Sequence, residues 1–366
     1  MADSRIKRVA QVLVEYSVEV KPGDWVVIRT TPEADTMTRA IYKEVLKAGG
    51  NPQVLLTSPW EAYLLLKNGN DDQLDYVSPT TRLMWEQADV QISILAASNT
   101  KSLSNVDPAR DRRRKQATSD LTRVFMERSA SGALRWVATL FPTNAFAQDA
   151  EMSLEEYEDF VYGAGLVDEG DPVQRWQELG RRQQQLVDWL AGRDQVHIRG
   201  ADADLRLSIK ERTFINAEGK RNFPDGEIFT GPVEHSANGW VRFTYPAVLG
   251  GREVTGIEFT FEEGKVVKAS ATKNEEALLE MLETDPGARF LGELGIGTNP
   301  GITRFTRNTL FDEKIQGTFH LAVGMSYPDT GGVNQSGIHE DIVCDLKDGE
   351  ITVDGELFYR NGEFVV

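Results

Sequence analysis

The sequence predicts a two-domain α+β protein, with an N-terminal α/β domain on a mostly parallel sheet and a C-terminal β-rich domain. Three observations predict it. At 366 residues the chain is longer than one hydrophobic core usually serves. In its first half, short apolar runs alternate with stretches of helical periodicity, the texture of βαβ units. Beyond His197 the pattern changes to short segments of alternating polarity separated by glycine turns. The boundary falls near residue 192, giving domains over 1–192 and 193–366.

The elements follow in order. Ile6, Val9, Leu13 and Tyr16 recur at helical spacing before Lys21-Pro22-Gly23-Asp24 breaks the pattern, and a buried strand opens at Trp25. A second helix has Thr31 as cap, Pro32 at its first position and Gly49-Gly50 at its end, and leads to a strand over 54–56. Apolar runs over 90–95 and 136–140 add strands to the same sheet. Ser153 with Glu156 forms a capping box, and a long helix opening at Asp171-Pro172 carries Trp176, Leu179, Leu186 and Trp189 to Gly192. In the second half, residues 241–245, 258–261 and 351–358 alternate as strands do.

Composition excludes several functions. Hydrophobic content of 40% with sixteen Phe and seven Trp supplies a core and excludes a disordered chain. A net charge of −17 repels polyanions, so nucleic acid is not expected as a partner. The one basic run, Arg110 with Arg112, Arg113, Arg114 and Lys115, lies beside Asp107 and Asp111 without interleaved aromatics and reads as a solvated helix face. The single cysteine, Cys344, excludes an intramolecular disulfide and a cysteine-cluster metal site; it reads as a small buried hydrophobe. The start of the chain has no continuous apolar stretch, so neither a secretory signal nor a membrane span is expected, and the cytoplasm is the expected compartment.

Any metal must then use His, Asp and Glu. All four histidines, His197, His235, His320 and His339, lie in the second half. His339 and Asp341 stand two apart in a strand-like stretch, so imidazole and carboxylate share a face, as a Zn²⁺, Co²⁺ or Mn²⁺ ion requires. Taken alone, that pair fits a structural hydrogen bond as well. Three further segments, FPDGEIFTG over 223–231, LGELGIGTN over 291–299 and GTFHLAVGMSY over 317–327, set ionisable groups among glycines and apolar residues. Glu227 and Glu293, in such surroundings, need a cationic partner. His197 reads as a half-buried strand histidine, and His235 lies in a polar loop where filler outweighs function. The glycines around Glu293 lack the lysine and helix of a phosphate loop.

Several motifs occur together: Asn222-Phe-Pro-Asp-Gly-Glu227, Gly292-Glu293 with Gly297-Thr298-Asn299, Leu310-Phe-Asp-Glu-Lys-Ile315, Gly317-Thr318-Phe319-His320, Tyr327-Pro328, and Asn334 through Asp341. In this order they make the chain resemble the aminopeptidase T and aminopeptidase S family of metallo-exopeptidases across nearly its whole length. Gln316 stands where that family is expected to have glycine, and the chain is shorter than its better-known members. The resemblance implies hydrolysis of peptides with free N-termini by a water activated between two divalent ions. It implies Glu227, Glu293, His320, His339 and Asp341 as ligands, Glu293 as the bridge and first choice to handle the proton, and Tyr327 as catalytic. It also implies Lys314 and Asn334 as candidate substrate contacts, though a lysine in an Asp-Glu-Lys run is more often a surface residue. A homodimer is expected on the same ground. Alternatively, His320, His339 and Asp341 could form the two-histidine, one-carboxylate triad of a non-haem iron ring-cleaving dioxygenase. A catalytically silent binding protein would be expected to have lost at least one ligand.

Overall fold

A computed structural model of the chain describes residues 3–366. Two compact units divide it, one running to Arg175 with Gly219–Pro224, the other comprising Trp176–Glu218 with Asp225–Val366. The division falls inside the long helix Pro172–Leu190 rather than near residue 192. Leu186 and Leu190 explain why, because they are buried with Val196, Ile198 and Ile228 of the second unit. No helix among the described residues is long and apolar enough to cross a membrane.

In the first unit the described strands form a parallel sheet in the order Asn51–Leu56, Trp25–Thr30, Val90–Leu95, Arg135–Leu140 and Asn222–Phe223. Val26, Val27 and Ile28 are buried at successive positions, which is the mark of a strand covered on both faces. The last strand is not anticipated by periodicity. It comes from beyond residue 192, and Asn222 and Phe223 pair with Ala138 and Thr139. Two residues are too few to carry an alternation.

Local chemistry sets the connections. The Ser153–Glu156 capping box is present, each side chain accepting the other residue's backbone N–H. Thr31 stands at the N-cap position of a 3₁₀ turn, Pro32–Ala34, that precedes Asp35–Lys47, but its hydroxyl makes no capping bond and donates instead to the Ala96 carbonyl. The basic helix Pro108–Ala117 buries none of its residues, as expected of a solvated face. Its arginines nevertheless hold neighbouring backbone: Arg110 donates to the carbonyls of Leu66 and Gly69, and Arg114 to those of Leu74 and Tyr76.

In the second unit the larger described sheet is antiparallel, in the order Lys265–Ser270, Glu258–Glu262, Asn238–Arg242, Ala203–Ser208, Gln195–Arg199, Glu350–Val353, Glu356–Arg360 and Glu363–Phe364. The segment read as one alternating stretch over 351–358 is a hairpin, turned at Asp354 and Gly355, whose φ values of 52° and 83° permit the reversal. A second antiparallel sheet runs His339–Asp345, Thr318–Gly324, Leu291–Gly297, Glu227–Thr230 and Ile215–Ala217. Both sheets contribute to one apolar core, with Ile198, Leu205, Val241 and Phe259 from the larger and Leu294, Ile296, Phe319 and Leu321 from the smaller.

Candidate metal centre

The smaller sheet has two chemically distinct faces. Leu294, Ile296, Phe319, Leu321, Ile342 and Cys344 enter the core. Successive strand side chains point to opposite sides, so the intervening residues Glu293, His320, His339 and Asp341 share the other face. Register completes the set, because Glu227 pairs with Gly297 on the neighbouring strand. Each ligand candidate stands across the ladder from a small residue. Glu293 and Asp341 face Ala322, His320 faces Gly295, and His339 faces Gly324. A Cβ at Gly295 would lie 2.0 Å from Cε1 of His320, so the imidazole occupies the space that glycine leaves.

Two donor groups meet at Glu293. The Nε2 atom of His320 lies 3.0 Å from Oε1 of Glu293 and 3.3 Å from Oε2 of Glu227. On the other side, Nε2 of His339 lies 3.6 Å from Oε2 of Glu293 and 3.7 Å from Oδ2 of Asp341. His339 is oriented by its Nδ1–H, which donates to the Met325 carbonyl at 2.7 Å and leaves the Nε2 lone pair toward the carboxylates. The two histidines fall in different donor groups among the described residues, which weighs against a shared iron triad.

Burial tests whether a cation fits. Glu227, Glu293 and His320 are 5%, 4% and 0% exposed, and Oε2 of Glu227, Nδ1 of His320 and Oδ1 of Asp341 are buried without hydrogen-bond partners. Unpartnered carboxylate oxygens in a dry site are costly, and a hard divalent ion satisfies them. The residues present therefore fit metal ions. A further group, Glu313 with His320 and Asp341, also converges closely enough to hold one. Glu313 is the functional candidate that sequence reasoning missed; the signal available was its place beside Lys314 in the Leu310–Ile315 motif.

The cluster's electrostatics agree. Burial pushes the Glu227 carboxyl up to about 8, only partly opposed by Lys314. Asp341 is likewise raised by burial, then by the charges of Glu313 and Glu293. For His320 burial acts downward, but the hydrogen bond to Glu293 and the surrounding carboxylates outweigh it and hold the ring up at about 10. Without metal, then, the cluster retains protons that a bound cation replaces. Glu313 goes the other way: burial would raise it, yet Lys314 and His320 draw it below its ordinary value.

The remaining expected residues are placed as follows. Tyr327 packs edge-on against His339, with ring centroids 4.9 Å apart, and against Phe229 at 5.8 Å; burial and then the charges of Glu293 and Asp341 raise its phenol. Lys314 is not a surface residue. It is fully buried, with Nζ 3.3 Å from Oε1 of Glu227 and paired with Glu313. Asn334 donates its amide to the carbonyls of Gly287 and Gly324, clamping backbone. His235 stays in an exposed loop against Phe290, and His197 is a half-buried strand residue bonded to Asp204, 2.7 Å away. Cys344 is buried in the core, which pushes its thiol up to about 12.

A buried set of carboxylates and imidazoles on one face of a sheet defines the class as a metalloenzyme. The model of the thermophilic metalloprotease (M29) family matches residues 2–364, and the chain belongs to that family of peptide-bond hydrolases. Similar curated proteins include aminopeptidase 2 of Geobacillus stearothermophilus, 26% identical over 99% of this chain and 98% of its own length. Aminopeptidase T of Thermus thermophilus is 25% identical over 98% of this chain and 95% of its own. Among solved structures, wild-type AmpT from Thermus thermophilus superposes with a TM-score of 0.86 at 22% identity, covering 99% of both chains, which shows a shared fold.

Proposed function

We propose that this chain is an aminopeptidase that releases residues from free peptide N-termini with two divalent ions held by Glu227, Glu293, His320, His339 and Asp341, with Glu313 as a sixth donor. The observation that carries the reading is Glu293, which presents one oxygen to His320 and the other to His339 and so belongs to both donor groups. Bound there, zinc, cobalt or manganese supplies Lewis acidity for the scissile carbonyl and acidifies an attacking water.

The chain's own residues do the rest. Glu293, in contact with both groups, is the carboxylate placed to take a proton from that water. Tyr327, against His339, is placed to donate its hydroxyl hydrogen bond to the oxyanion that develops on the carbonyl. The acidic cluster also attracts the substrate's α-ammonium, which an acetylated N-terminus lacks. The backbone clamp by Asn334 supports a structural role for it rather than substrate contact. A homodimer, carried by the family likeness, and a cytoplasmic location complete the reading.

The test is metal content measured beside hydrolysis of free and N-acetylated peptides, with and without chelator. Chelator-sensitive cleavage confined to free N-termini is expected. Equal cleavage of both peptides would point to another chemistry, and a monomeric mass by light scattering would remove the dimer.

A further inference from the structure

Four carboxylates, Glu227, Glu293, Glu313 and Asp341, converge on this face, and each belongs to a donor group whose ligand atoms lie within 4.8 Å of one another. Like charges this close repel and burial strengthens the repulsion, so before an ion arrives the cluster needs a fixed countercharge beside the protons it retains. Lys314 is in the right place to supply it. Its side chain has no exposed surface, and its ammonium pairs with Glu227 and Glu313, one carboxylate from the strand and one from its own segment. It takes Oε1 of Glu227 and so leaves Oε2 toward His320.

The backbone brings the lysine there deliberately close. A Cβ at Gly297, which pairs with Glu227, would lie 2.1 Å from the Ile315 carbonyl oxygen and 2.8 Å from the Lys314 carbonyl carbon. Only glycine lets this segment lie against the donor face. Two residues beyond Gly297, Asn299 fastens it, its N–H donating to the Lys314 carbonyl at 3.1 Å.

We propose that Lys314 is a positioning residue, a resident counter-ion that clamps Glu227 and Glu313 in ligating geometry before metal binds. This rests on the metal-centre reading above. The lysine contacts two ligand candidates and acts through them. Its role belongs mainly to the metal-free protein, since bound cations supply the same compensation once they arrive.

The experiment compares melting temperatures with Zn²⁺, Co²⁺ or Mn²⁺ added and with chelator, for the full chain and for Lys314→Met. Loss of a buried countercharge should lower the metal-free melting temperature by on the order of 10 °C. The metal-loaded form should lose less than half as much. Equal losses in both forms would make Lys314 a packing residue and overturn the proposal, as would no loss in either. If Lys314→Met fails to fold at all, the Glu313→Gln/Lys314→Met double variant decides, because it removes charge from both sides of the pair. Recovered folding without metal supports the clamp, and continued failure overturns it. A wild-type chain that binds none of the three ions would defeat the metal-centre reading itself, an outcome separate from equal losses in a chain that does bind them.

Discussion

The parallel sheet of the first unit and the smaller antiparallel sheet of the second both contain strands buried at successive positions, but these strands bury different chemistry. Val26, Val27 and Ile28 send apolar side chains to both faces of the parallel sheet. Leu291–Gly297 and Thr318–Gly324 are also buried at every position, yet only alternate residues are apolar; the others are ligand candidates and the small residues beside them. A burial pattern therefore does not separate a structural strand from a functional one. What separates them is that the second sheet buries charge, which is tolerated only with a compensating partner.

Neighbouring residues on opposite faces give the strongest test of that contrast. Glu293→Gln should abolish peptidase activity and lower metal stoichiometry while the fold persists, because an amide cannot bridge two cations as a carboxylate does. Leu294→Ala, one residue along, should cost about 2–5 kcal/mol of stability and leave metal stoichiometry intact. Metal analysis with denaturant unfolding reads both. Loss of metal from the leucine variant and retention by the glutamine variant would exchange the two faces.

Next in size is Tyr327→Phe, which keeps the ring against His339 and removes only the hydroxyl. The kcat value should fall about a hundredfold with little change in KM, as for an interaction made mainly in the transition state. A rise in KM at constant kcat would make Tyr327 a substrate-binding group, and lost metal would make it a ligand.

A smaller effect is expected on pH. Glu227 is raised from an ordinary value of 4.5 to about 8, and His320 from 6.5 to about 10. Both bind protons more tightly in the folded chain, so their contribution to metal-free stability is complete below the unfolded values and is lost as pH rises through the folded ones. Metal replaces those protons. The gap in melting temperature between metal-loaded and chelated protein should accordingly widen from about pH 5 to about pH 9. A gap independent of pH would mean that the two groups do not titrate with the site. Smallest of all, His235→Ala should leave metal content and activity unchanged, since that histidine stands apart from the donor groups.

The first sheet was legible because each main strand carries its own apolar run between helical stretches. Its fifth strand was not, since Asn222 and Phe223 acquire strand character only by pairing with Ala138 and Thr139. In the second unit, the i, i+2 spacing of His339 and Asp341 revealed a shared face directly. Lys314 was misleading for a different reason: in a polar run it has the composition of a surface residue, and its complete burial follows from two carboxylates that lie elsewhere in the chain or beside it.

By itself, then, the sequence determined the α+β class and the strands' alternation, which depend on residue type and local period, while the five ligand candidates came through the resemblance of its motifs to a known family. The tertiary structure alone decided that Glu293 turns one oxygen to His320 and the other to His339, that Glu313 joins the donor groups, and that the long helix belongs from Trp176 onward to the second unit. The reason is register. Which residue faces which across a ladder, and which segment a glycine admits, depend on hydrogen bonds and contacts between positions as far apart as Glu227 and Gly297.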